Sequence, residues 1–183
     1  RRAHWPQAAR SPYPQGMPYL FETDEHAALR QNARRFAKAR IAPFARAWEE
    51  AAEFPRELHD AAAEAGLLGV GYPEAYGGSG GDAGHAMVAA EELVLAGGSV
   101  GTVIGLTSHG IALPPILAFG TEAQKQRWIP GVMQGKAIAA LAITEPGGGS
   151  DVAALQTRAR RDGDVYIVNG AKTYITSGCR ADF

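Results

Sequence analysis

From Thr23 onward, Leu29, Ala33, Phe36, Ala37 and Ile41 recur at three- and four-residue steps, the period of one helix face. Thr23 can cap this helix, Asp24 and Glu25 suit its first turn, and Pro43 should bend or end it, with Phe44 and Trp48 packing just beyond. A second helix starts near Pro55 with Leu58, Ala61, Ala62 and Ala65 turned inward. A third, over residues 82–95, sets Met87, Ala90 and Val94 on one side and stops at Gly97-Gly98. Val100, Val103, Ile104, Thr107 and Ile111 predict a fourth helix, apolar almost all round and therefore buried. Thr121 and Gln124 form the capping box of a fifth.

After Gly135 the period changes. Residues 137–144 read as an apolar strand, residues 155–161 alternate, and Asp162-Gly163-Asp164 is a turn. Residues 165–168 form the next strand, and Asn169-Gly170 signals a hairpin before a strand at 173–177. The fold class expected is α+β: an all-α domain over residues 21–136, then the beginning of a β domain over 137–183. Residues 1–20 carry four prolines and no acidic residue, which argues against an amphipathic transit helix. An extended or disordered arm is favoured there over an upstream remnant or a transit peptide.

Size and charge narrow the classes. At 183 residues, 46% hydrophobic and 20% charged, the chain can bury roughly two-thirds of its unfolded surface. Net charge is −1, which offers no basic field for nucleic acid, so Arg34-Arg35 and Arg160-Arg161 read as solvated faces. A single cysteine, Cys179, excludes an intrachain disulfide and a Cys-cluster metal site, and is read as an inert small residue. No apolar run of membrane-spanning length is apparent by this reading, and no metal site or membrane insertion is expected.

The densest chemistry lies in residues 141–154, LAITEPGGGSDVAA, and 172–178, KTYITSG. In the first, an apolar segment ends in the hydroxyl of Thr144 and runs into a Gly-rich loop whose backbone can approach a ligand closely. In the second, strand alternation would put Tyr174 and Thr176 on one face, an aromatic wall beside a hydroxyl. An isoalloxazine ring needs that combination, because its pyrimidine edge and N5 take up charge and protons on reduction.

Competing readings of these loops are weaker. Gly147-Gly148-Gly149-Ser150 alone has the composition of a linker, and no Lys-Ser/Thr follows to make a P-loop. Gly78-Ser79-Gly80-Gly81-Asp82-Ala83 fits a dinucleotide fingerprint, but no strand precedes it and no Asp or Glu lies between Glu92 and Glu122 to hold a ribose.

Residues 142–154 match every position of the signature that marks the acyl-CoA dehydrogenase family, which the chain closely resembles. The loop from Gly69 to Gly81 and the helix from Phe119 to Pro130 extend the likeness, which covers the chain from about Phe21 to Phe183. The resemblance implies a β-barrel-like middle domain begun at residue 137, and a further C-terminal helical domain that this chain does not include. It implies bound FAD, contacted by Leu141, Ile143, Thr144, Gly149, Ser150, Tyr174, Ile175 and Thr176. Thr176 would sit near N5, and Thr144 near N1 and the pyrimidine carbonyl. Tyr174 stands where many members carry Trp, so its phenol needs a partner if buried. Ser150 has two readings, contact with the acyl-CoA or simple loop capping. His109 likewise reads as a wall of the acyl pocket or as a core histidine bonded to backbone, the commoner case. Glu145 is expected to be structural, in a buried ion pair or backbone cap, and not a base.

The implied activity is FAD-dependent oxidation of an acyl-CoA thioester to the 2-enoyl-CoA, in fatty or branched-chain acyl metabolism. The α-proton goes to a base expected beyond Phe183 and the β-hydride to N5. Implied partners are the acyl-CoA, an electron-transfer flavoprotein and further copies of the chain in a dimer or tetramer. The compartment expected is a bacterial-type cytoplasm, ahead of a mitochondrial matrix. Alternatives are a flavin oxidase or monooxygenase of the same family, and a non-catalytic acyl-CoA-binding or assembly module.

Overall fold

The computed structural model describes residues 22–183, so the arm expected over residues 1–20 lies outside the described residues. Helix α1, Asp24–Arg40, starts where Thr23 leaves extended backbone. The Thr23 N–H donates to Nδ1 of His26 at 3.2 Å, an imidazole doing the work a Glu does in the usual capping box. The inward residues Ala33, Phe36, Ala37 and Ile41 are all buried, as their spacing predicts.

Phe44 and Trp48 belong to a helix the periodicity did not separate, α2 over Ala45–Ala51, with Phe44 at its N-cap. It ends when Ala52 turns to φ 52°. Helix α3, Glu57–Glu64, buries Leu58 and Ala62 as expected, and also His59.

Helix α4, Ala83–Gly97, has the predicted limits, with Asp82 capping it and Gly98 at φ 74° closing it. Its inward face differs from the expected one. Val88, Ala89, Glu92 and Leu93 are buried, while Met87 is 46% exposed. Apolar residues surround this helix, so hydrophobicity alone does not choose a face; ion pairs with α1 do. The Arg34 guanidinium donates to both oxygens of Glu92, each at 2.8 Å, and Arg30 donates to Glu92 at 2.8 Å, to Glu91 at 2.9 Å and to Glu22. Glu92 is 3% exposed, and the two arginines hold its carboxyl below the usual range against the opposing cost of burial. Arg34 is therefore an ion-pair partner and not simply a solvated face.

The predicted fourth helix is two: α5, Val100–Leu106, and α6, His109–Phe119, interrupted at Thr107-Ser108 and carrying Pro114 and Pro115 inside α6. It is not buried all round, because Val100, Ile104 and Ile111 are each more than half exposed. The stretch Val100–Phe119 is also long and apolar enough to cross a membrane by length and composition, contrary to the sequence reading, and is 39% buried over its most apolar window. Helix α7, Glu122–Met133, opens with the predicted box: Thr121 N–H to Gln124 Oε1 at 2.8 Å and Gln124 N–H to Thr121 Oγ1 at 3.3 Å.

Two cores result. Phe36, Ile41, Leu58, Leu68, Leu93 and Leu106 tie α1, α3, α4 and α5 together, and Leu113, Ile129, Val132 and Met133 join α6 to α7. Each large side chain fully withdrawn from water contributes roughly 1.5–3 kcal/mol.

The β part is smaller than expected. β1, Arg158–Asp162, and β2, Val165–Asn169, form an antiparallel pair turned by Gly163-Asp164, with Asp162 opposite Val165. Asn169-Gly170 makes no hairpin, because the residues after it do not return along β2. Residues 137–144 and 173–177 are not strands of a ladder. The first of these segments is bonded near its start, where Asp182 N–H bonds Ile138 O at 2.8 Å and Ala140 N–H bonds Phe183 O at 3.0 Å, and at its end, where Thr144 O accepts from Thr173 N–H.

Candidate functional site

The Gly-rich turn is built from its own backbone. Glu145 N–H bonds Gly148 O at 2.9 Å and Gly148 N–H bonds Glu145 O at 3.1 Å, a reversal over Pro146-Gly147. Asp151 Oδ1 then accepts the Ala153 N–H at 3.2 Å, starting a short 3₁₀ turn at Val152–Ala154. Gly149 lies so close to Thr144 that a Cβ there would sit 2.9 Å from Thr144 Cγ2, whereas Cβ atoms on Gly147 and Gly148 would meet nothing. One side of the turn is thus packed on Thr144, and the other is open to a ligand.

Glu145 fastens this turn to the rest. Its carboxylate accepts from Gln156 N–H at 2.7 Å, Thr157 N–H at 2.8 Å and Lys172 Nζ at 2.9 Å. The neighbouring Thr157 hydroxyl, the strongest influence although off full hydrogen-bond geometry, acts with these donors to hold the carboxyl down at about 2. Glu145 is therefore a buried structural anion, as expected, and as a permanent acceptor it is unsuited to act as a base.

The second segment is reached through two bonds. Thr173 N–H donates to Thr144 O at 2.9 Å, and Lys172 Nζ donates to Ile143 O at 2.7 Å. Ile143, Thr144, Gly149 and the start of the 172–178 segment are brought together. The expected strand alternation fails beyond that point. Tyr174 adopts φ 55° and Ser177 φ 62°, and Tyr174 stands 92% exposed. A single backbone bond to Thr144 is too little ladder to hold an extended strand. Thr176 and Ile175 are half-buried in the turn that follows, which Ser177 Oγ anchors to Gly105 O of α5 at 3.2 Å. Leu141 packs on the second core, and Ser150 is exposed.

His109 lies away from this turn, on α6. Its Nε2 faces Leu68 O at 2.9 Å, it is 6% exposed, and burial pushes its pKa down. The backbone-bonded reading is the one realised, yet the same ring lines a cleft of 480 Å³. Val70, Tyr72, Ala86, Ala90 and Leu117 share that lining, giving a largely apolar groove between α4, α6 and the loop before α4. The residues fit a flavin at the turn: a hydroxyl on a packed wall, an open glycine face and the exposed aromatic ring of Tyr174.

His26, Asp82 and His85 offer ligand atoms within 4.8 Å of one another. Their rings stack at 3.8 Å, and both histidines occupy the first turn of a helix, where aligned N–H dipoles disfavour a cation. The geometry is that of two interlocked helix caps. Asp82 caps α4 here, so the dinucleotide-like glycine run leads into a cap and not a phosphate loop.

Lys172 is the site residue that sequence reasoning passed over. Its signal was a lone cation at the head of the KTYITSG segment, ahead of its hydroxyl and aromatic residues.

Two family models match the chain: the N-terminal domain of acyl-CoA dehydrogenases over residues 23–136, and the middle domain over residues 140–183. The rat mitochondrial long-chain specific acyl-CoA dehydrogenase is 39% identical over 161 residues, 87% of this chain and 37% of that protein. A Mycobacterium smegmatis protein assigned to the acyl-CoA dehydrogenases is 52% identical, with a TM-score of 0.85 over 90% of this chain and 43% of that one. An acyl-CoA dehydrogenase from Bacillus anthracis solved in complex with FAD is 35% identical, with a TM-score of 0.80 over 88% of this chain and 28% of that one. The chain thus spans well under half the length of these proteins, and it belongs to the acyl-CoA dehydrogenase family.

Proposed function

We propose that this chain forms the helical part, residues 21–136, and the first flavin-holding part, residues 137–183, of an FAD-dependent dehydrogenase that converts an acyl-CoA thioester to the 2-enoyl-CoA. The observation that carries the reading is the convergence of the two segments, joined by the Thr173–Thr144 and Lys172–Ile143 bonds. Bound FAD would supply the two-electron acceptor. Thr144 and Thr176 donate hydrogen bonds to the edge of the ring, Leu141, Ile143, Gly149 and Ile175 shape its bed, and Tyr174 covers it. Ser150 contacts the acyl-CoA, and His109 walls the cleft toward the acyl group. The base that takes the α-proton lies beyond Phe183, and the electrons pass to an electron-transfer flavoprotein. A bacterial cytoplasmic oligomer, a dimer or a tetramer, is the form this reading favours.

The test is anaerobic mixing of the purified full-length protein with acyl-CoA thioesters while the flavin absorbance is followed. Bleaching is expected, with slow recovery in air. A colourless protein overturns the reading, and fast reoxidation by oxygen replaces it with the oxidase alternative.

A further inference from the structure

We propose that Glu145 and Lys172 form a positioning clasp for the cofactor, setting how the Gly147–Gly149 turn faces the 173–176 segment without touching the ring itself. The inference rests on the flavin reading and deepens it. One carboxylate pins three stretches of chain: its own turn, the entry to β1 through Gln156 and Thr157, and the second segment through Lys172. Lys172 spans the gap from the other side, with Nζ 2.7 Å from Ile143 O and 2.9 Å from Glu145 Oε1. The two side chains are only 8% and 21% exposed, so water competes poorly for these bonds.

The clasp matters because it sets the entry to the second segment, whose far end is anchored separately by Ser177 Oγ on Gly105 O. Among the described residues, the backbone bond joining 143–145 to 172–176 is Thr173 N–H to Thr144 O. Immediately beyond it, Tyr174 adopts the left-handed conformation, uncommon for a bulky side chain, with no ladder beside it. Without the Lys172 ammonium, Ile143 O loses a donor, the carboxylate loses its counter-ion, and the stretch carrying Thr176 is held between the single Thr173–Thr144 bond and the Ser177–Gly105 anchor. These losses reach a bound ring: its donors lose their fixed spacing, and an uncompensated negative charge makes it harder to reduce.

The experiment uses the full-length protein and three variants, K172M, K172R and E145Q, with three readouts: FAD dissociation constant, flavin midpoint potential and melting temperature of the apoprotein. K172M is expected to weaken FAD binding about tenfold or more and to make the potential more negative, with K172R restoring most of the potential by keeping the charge. E145Q, which keeps shape and the Lys172–Ile143 bond, is expected to weaken binding by a smaller factor and keeps the idea testable if K172M fails to fold. A wild-type protein that binds no FAD overturns the flavin reading and the clasp together. Wild-type protein that binds FAD while K172M and E145Q match it in affinity and potential overturns the clasp alone, as does a change confined to melting temperature.

Discussion

Thr176 is the most direct single-residue test of the flavin site. Its replacement by Ala removes a proposed donor to the ring and is expected to cost roughly 1–3 kcal/mol of cofactor or transition-state stabilisation. FAD titration and single-turnover reduction of the full-length protein measure it, and unchanged values would remove Thr176 from the site. His59 makes a separate prediction about acid. It is 3% exposed, its ring nitrogens have no hydrogen-bond partner among the described residues, and burial first, then the Arg180 charge, push its pKa down to about 4. The unfolded chain, titrating near 6.5, binds a proton that the folded chain refuses. Stability is therefore complete above about pH 6.5, falls as pH drops, and has lost this contribution below about 4. Urea unfolding at pH 7.5, 5.5 and 4.5 should show the decline, and His59→Phe should flatten it. Position gave no hint of this burden: in sequence, His59 is simply one polar residue in an alanine-rich helix.

At the scale of elements, the strongest dependence lies between α1 and α4. Glu92 is buried against two arginines, so Glu92→Ala leaves Arg30 and Arg34 without their shared carboxylate. Breaking such a pair costs about 2–4 kcal/mol, moderated because the Arg34 side chain is half exposed. A thermal or urea midpoint unchanged in the variant would contradict this. The helices whose caps and periods were explicit, α1, α4 and α7, were legible with nearly correct limits. The facing of α4 was not, because it turns on arginines about sixty residues away. Similarly, 173–177 has the composition of a strand, but a strand exists only with a neighbour to bond, and Thr173 finds one bond only.

Across the whole molecule, the helical part encloses two cores while the β part remains mostly surface. Every residue of β1 and β2 is exposed, Val168 and Tyr166 by 64% and 68%, and a bare two-stranded pair is marginal in water. A polypeptide limited to residues 1–183 is accordingly expected to hold FAD poorly and to dehydrogenate no acyl-CoA. Robust turnover by that segment would show that the base lies within it. The sequence alone determined the helical character of the first half, the Thr23 and Thr121 starts, the Gly97-Gly98 stop, the change of period near Gly135 and the Thr-Glu-Pro-Gly-Gly-Gly-Ser-Asp loop, because these follow from neighbours a few positions apart. Only the tertiary structure decided that Glu145 and Lys172 meet, that Glu92 is shared by two arginines, that His109 spends Nε2 on the backbone, and that Tyr174 leaves the strand path. Each of those depends on groups tens of residues away competing for the same hydrogen bonds, and local pattern carries no record of that competition.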